Sequence, residues 1–106
     1  MPTRNARFTI AMATHEYPTS GGPVGGLGVY VQTIARELVR RGHEVHVVTC
    51  AHAHDLTVRQ DHGVHLHPVA LPAPDARDPA SLIDYSAAVA ARITELDQQH
   101  HFDVVE

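Results

Sequence analysis

Five glycines fall within residues 21–28, in the stretch SGGPVGGLG, and a periodic apolar segment follows at once. A glycine inside an element costs on the order of 0.5–1 kcal/mol against alanine, so a cluster of them needs a local reason. Two reasons are open. The glycines either make a loose, sharply turning loop that lets a helix pack close to its neighbours, or leave backbone bare where a helix begins. The second would be chemistry. The first turn of a helix carries free N–H donors and the positive end of the helix dipole, which suit a phosphate or a sugar hydroxyl. Gly25, Gly26 and Gly28 have no Cβ to hold such a group away.

Two familiar phosphate loops do not fit. In a dinucleotide fingerprint, Gly26 and Gly28 would be the first two glycines, but Val31 stands at the third position. The acidic residue that would hold a ribose is also missing, because VVTCAHA closes the second strand-like run. A P-loop needs Gly-Lys-Ser/Thr after the glycines, and none follows.

The ten histidines are the next candidates. His65 and His67 alternate on a strand-like run and would point to one face, as two ligands of one metal must. No carboxylate or cysteine completes a recognisable metal spacing in sequence, and adjacent His100 and His101 cannot share a helical face, so no metal is expected. His15 and Glu16 follow the first strand-like run, where open α/β sheets place ligand contacts. They are acceptor-binding candidates, with loop solubility and a turn set by Pro18 as the alternative. Tyr17 either lines a cleft or packs under its loop, whereas Tyr30, within the helical segment, is expected to pack. Cys50 ends a run of valines and reads as a small buried hydrophobe, not a nucleophile.

These residues need a scaffold, and composition sets its kind. The chain has 106 residues, 43% hydrophobic and 19% charged, which suits one globular domain with a single core. A net charge of −4 and the lack of any basic run disfavour nucleic acid and anionic membranes as partners. A single cysteine suits a reducing compartment. The apolar run near the start is too short for a signal peptide, and no segment approaches the ~20 apolar residues of a membrane span, so a cytoplasmic location is expected.

Along the chain, RFTIAM at residues 7–12 predicts a buried first strand, and residues 14–26 a loop broken by two prolines. Leu27, Val31, Ile34, Ala35 and Leu38 predict one face of a helix that Gly42 ends. EVHVVTC follows as a second strand, completing a βαβ unit with parallel strands and a right-handed crossover. DLTVRQDHGVHLHPV predicts a hairpin turning at Asp61, His62 and Gly63. Asp78 and Pro79 fit the cap and first position of a second helix. Its stripe is Leu82, Tyr85, Val89, Ile93 and Leu96, and its end falls near Gln98 or Gln99. FDVVE then opens another buried strand. The fold class is α/β: a Rossmann-like parallel sheet with flanking helices, which reads as truncated because the last strand stops where its functional end would begin.

The order HEYP, glycine loop, GGLGVYVQTIARELVRRGHEVHVVT, DHGVHLHPV and FDVVE resembles the N-terminal domain of family 4 glycosyltransferases, of GT-B architecture, from about Phe8 to Glu106. The most specific part is Ile34-Ala35-Arg36-Glu37-Leu38, then Arg40-Arg41-Gly42-His43-Glu44-Val45. The resemblance implies two Rossmann-like domains facing across a cleft, the N-terminal one taking the acceptor and a C-terminal one holding most of a nucleotide-sugar donor. It places the donor diphosphate at Gly25, Gly26, Leu27 and Gly28, and implies a retaining transfer with no cofactor and no catalytic metal. Pro23 stands where glycogen-synthase-like members carry a lysine, which argues against a glucan-synthase role. On this reading residues 1–106 are a partial acceptor-side domain without a donor domain, inactive alone. The alternative is a non-catalytic interaction or regulatory module that docks a protein partner on an open sheet edge.

Overall fold

Runs of small and β-branched side chains at Thr9–Ala13 and Glu44–Cys50 form β1 and β2, which pair in parallel with Thr9 opposite Glu44 and Ala13 opposite Val48. Helix α1, Gly26–Arg40, connects them. The computed structural model describes residues 6–15, 17–18, 26–50, 57–69 and 77–106. Beyond β2 come β3 (Arg59–Asp61), β4 (Val64–Val69), α2 (Pro79–His100) and β5 (Val104–Val105). The sheet order is β3-β4-β2-β1-β5, and only the β3–β4 pair is antiparallel.

Strand alternation sorts the core into two layers. On one face Ile10, Met12, Val45, Val47, Val64 and Leu66 pack with Val31 and Ala35 of α1. On the other, Val48 and Val69 pack with Val89 and Leu96 of α2, flanked by Tyr85 and Ile93. Each fully buried valine contributes on the order of 1.5–3 kcal/mol, so these faces fix both the register and the side on which each helix lies.

The ends of the elements follow local chemistry. Gly42, at φ 95°, donates to the Val39 carbonyl while His43 donates to that of Leu38, the bond pair of a Schellman ending. The β3–β4 turn has positive φ at both His62 (49°) and Gly63 (87°), as a type I′ hairpin requires. The Asp78 carboxylate accepts from the Ala80 N–H at 3.1 Å, with Pro79 opening α2. That helix runs to His100, past the predicted end, because Asp97 caps it: its carbonyl accepts from His101 and its carboxylate from Phe102.

Several sequence expectations shift. β1 covers Thr9–Ala13, not residues 7–12. The buried face of α1 is Gly28, Val31 and Ala35, joined by half-buried Leu38 and Val39. Leu27 and Ile34 are exposed, and Tyr30, expected to pack, is 64% exposed. The buried stripe therefore runs through Gly28, Val31 and Ala35, and not through Leu27 and Ile34. Leu82 likewise faces out, near the start of α2, while Val89 and Leu96 go in.

Candidate functional site

From β1 the chain crosses through α1 to β2 on one side, and it later returns through α2 to β5 on the other. The helices lie on opposite faces, so the boundary of β1 and β5 is the point where the winding reverses. In open α/β sheets ligands bind in the crevice outside the carboxyl ends of the strands at such a point. Here those ends are tied level: Ala13 donates to the Glu106 carbonyl at 2.8 Å and Thr14 to the Val48 carbonyl at 3.0 Å. Helix α1 ends beside the amino ends of β1 and β2, since Glu44, just beyond it, donates to the Phe8 carbonyl. Its first turn therefore points to the carboxyl ends.

The structure divides the glycines by role. Gly28 is buried, a place where a small residue suits close packing. Gly26, the first residue of α1, is exposed, and a Cβ built on it meets none of the described residues within 4 Å. Packing among the described residues does not require glycine there. Leu27 is half exposed beside it, and His15 is exposed just past β1, at the same end of the sheet. Gly25 and Glu16 lie outside the described residues.

A polar cluster that the sequence did not announce holds the chain after β1. The Tyr17 hydroxyl donates to Asp61 Oδ2 at 2.6 Å, Arg36 clamps both Asp61 oxygens at 2.9 and 2.7 Å, and Gln32 Nε2 adds a 3.3 Å bond. The Tyr17 ring is buried in the α1-side core, so of its two readings the packing one holds. Burial first, then the Asp61 carboxylate, raise the Tyr17 pKa well above the ordinary phenol value. Burial also works to raise Asp61, but the hydrogen bonds from Arg36 and Tyr17 outweigh it and hold the acid below its usual value. Pro18, Gln32, Arg36 and Asp61 line an open cleft of about 340 Å³. Across the sheet, the Tyr85 hydroxyl donates to the Thr14 carbonyl at 3.2 Å, fixing the end of β1 to α2. Burial pushes the Cys50 thiol pKa up, which suits a packing cysteine better than a nucleophile.

A second cluster sits near the other end of the sheet, where β2 begins. Buried His46 has Nδ1 2.9 Å from His67 Nε2 and Nε2 2.7 Å from Glu44 Oε2. His100, the last residue of α2, places Nδ1 3.3 Å from the same oxygen. The His65 ring stacks on His46 with centroids 4.6 Å apart. His65 and His67 do share one face of β4, as their spacing predicts, but the carboxylate Glu44, two strand positions before His46, groups with His46 and His100 instead. Burial lowers the pKa of His46 and takes His67 to about 4. His67 Nδ1 is buried with no hydrogen-bond partner among the described residues.

The fold is a Rossmann-like α/β sheet whose winding reverses between β1 and β5. The comparison with known families is specific: Glycosyltransferase Family 4 matches residues 24–106, and the chain belongs to that family. It is a glycosyltransferase-like module resembling the N-terminal domain of those enzymes. No curated protein matches it. Among the described residues no helix is long and apolar enough to cross a membrane.

Proposed function

We propose that this chain is the acceptor-side domain of a retaining glycosyltransferase that takes its sugar from a nucleotide-sugar donor. Family membership supports the reaction class. The observation that supports the placement is that Gly26, at the first turn of α1 and at the carboxyl end of the sheet, is exposed and has no described residue within 4 Å of a built Cβ. On this reading the backbone N–H groups of Gly25, Gly26, Leu27 and Gly28 meet the donor diphosphate. As the sugar leaves, negative charge builds on the diphosphate, and fixed N–H donors and the helix dipole stabilise it without reorganising. His15 and Glu16, after β1, contact the acceptor. Turnover needs a second, donor-binding domain facing the crevice, so residues 1–106 alone transfer no sugar. The reading uses no cofactor beyond the donor and places the work in the cytoplasm.

The test uses Gly26→Val in the protein joined to a family 4 donor-binding domain, assayed with UDP-, GDP- and ADP-sugars. A side chain at Gly26 meets none of the described residues, so the unfolding midpoint stays put while transfer falls by at least about tenfold. Undiminished transfer by Gly26→Val would refute the placement. Absence of transfer by the unsubstituted assembly with every donor would refute the reaction.

A second reading rests on β5. Val104 and Val105 are exposed on an edge strand, a surface suited to pairing with a protein partner. It predicts a stable complex in the absence of any sugar, weakened by Val105→Lys.

A further inference from the structure

Glu44, His46 and His100 come from the start of β2 and the end of α2, yet their ligand atoms all lie within 4.8 Å of one another. We propose that these three side chains form a binding site for one divalent transition-metal ion of the zinc type, which clips the last turn of α2 to β2. The site lies at the opposite end of the sheet from the first turn of α1 and does not depend on the glycosyltransferase reading.

Two imidazoles and one carboxylate make an N₂O set, which suits zinc and its neighbours better than the all-oxygen preference of calcium or magnesium. Zinc bonds of about 2.0–2.2 Å put tetrahedral ligand atoms about 3.3 Å apart. Here Glu44 Oε2 is 3.3 Å from His100 Nδ1 and 2.7 Å from His46 Nε2, and the two histidine ligand atoms lie within 4.8 Å of each other, so the set brackets that spacing. The supporting contacts are also in place. Arg7 holds the other carboxylate oxygen, Oε1, at 3.2 Å and leaves Oε2 turned toward the histidines. The far nitrogen of His46, Nδ1, reaches His67 Nε2 at 2.9 Å. With Nε2 on the ion, His46 carries its proton on Nδ1 and donates it to His67, the outer contact that orients ligating histidines. The His65 ring fixes the plane of His46 by stacking. His46 is 1% exposed, but Glu44 and His100 are partly open, which gives the ion a path in and a fourth position for water.

Spacing in the sequence argues against a metal because the third ligand is contributed by another element. The fold supplies it. The experiment is a zinc titration of the metal-stripped chain against a chromophoric chelator, with cobalt as a spectroscopic probe. The expected result is one tight equivalent and the intense visible bands of tetrahedral cobalt. His100→Ala and the near-isosteric Glu44→Gln each weaken zinc at least about tenfold, on the scale set by losing a supporting contact. His62→Asn, in the hairpin turn away from the site, leaves affinity unchanged. Affinity no greater than that of the urea-unfolded chain overturns the proposal, as does equal affinity in all three variants.

Discussion

The Asp61 cluster offers a quantitative test of how the segment after β1 is held. Asp61→Ala removes the acceptor of the buried Tyr17 hydroxyl and both ends of the Arg36 clamp. A hydrogen bond to a charged acceptor contributes about 1.5–3 kcal/mol, and the Tyr17 hydroxyl then loses its 2.6 Å partner. Arg36 is 39% exposed, so solvent screening leaves its ion pair little to add. Together these give a loss of about 3 kcal/mol for Asp61→Ala. Tyr17→Phe, which leaves Asp61 bonded to Arg36 and Gln32, costs about 1.5 kcal/mol. Phenylalanine needs no acceptor, so the double variant costs little more than Asp61→Ala alone. The coupling is therefore about 1.5 kcal/mol, read from urea unfolding followed by circular dichroism. Additivity of the two substitutions within about 0.5 kcal/mol would show that Tyr17 and Asp61 do not act together, and the argument would fail.

Three further outcomes follow from the same geometry. Gly63→Ala places a Cβ 2.7 Å from Val39 Cγ1 at a φ of 87°, so it destabilises by about 2–3 kcal/mol, and Val39→Ala in the same chain recovers about 1 kcal/mol of that; equal cost in both backgrounds would contradict the clash. Asp78→Ala lowers stability by about 1 kcal/mol in thermal melts through loss of the α2 cap, while Asp78→Ser stays near the parent. The folded-state pKa of Asp61 is depressed, so its contribution is present above the ordinary aspartate range near pH 4 and is lost as pH falls through the folded value. The stability gap between the parent chain and Asp61→Asn therefore closes on acidification below about pH 4, and a gap that widens there would reverse the sign.

The fold was legible where local chemistry is strong. EVHVVTC is β2 residue for residue, and Gly42, Gly63 and Asp78 perform the conformational and capping roles that their types predict. The βαβ unit and its parallel register follow from a helix that ends one short turn before a β-branched run. Less was legible where apolar residues outnumber buried places. Periodicity assigned Leu27 and Ile34 to the interior, and Tyr30 was expected to pack from its place on the helix, but the buried stripe runs through Gly28, Val31 and Ala35. The polar clusters were the least visible. Asp61 reads as a turn residue, and its partners Tyr17, Gln32 and Arg36 come from two other segments that only the fold brings together. His46 did leave a trace, as a histidine inside a valine strand, yet neither His67 nor His100 could be paired with it before the strand order and helix placement were known.

We propose above all that the first turn of α1, beside the β1–β5 switch point, receives the diphosphate of the donor. The most direct measurement is a titration of the isotopically labelled chain with UDP, GDP and ADP, following backbone amide resonances. The account predicts that the largest shifts fall on Gly26, Leu27 and Gly28 with His15 beside them, while the Glu44 and His46 amides at the far end of the sheet stay still. Shifts confined to the far end, or none in that first turn at saturating nucleotide, would contradict it.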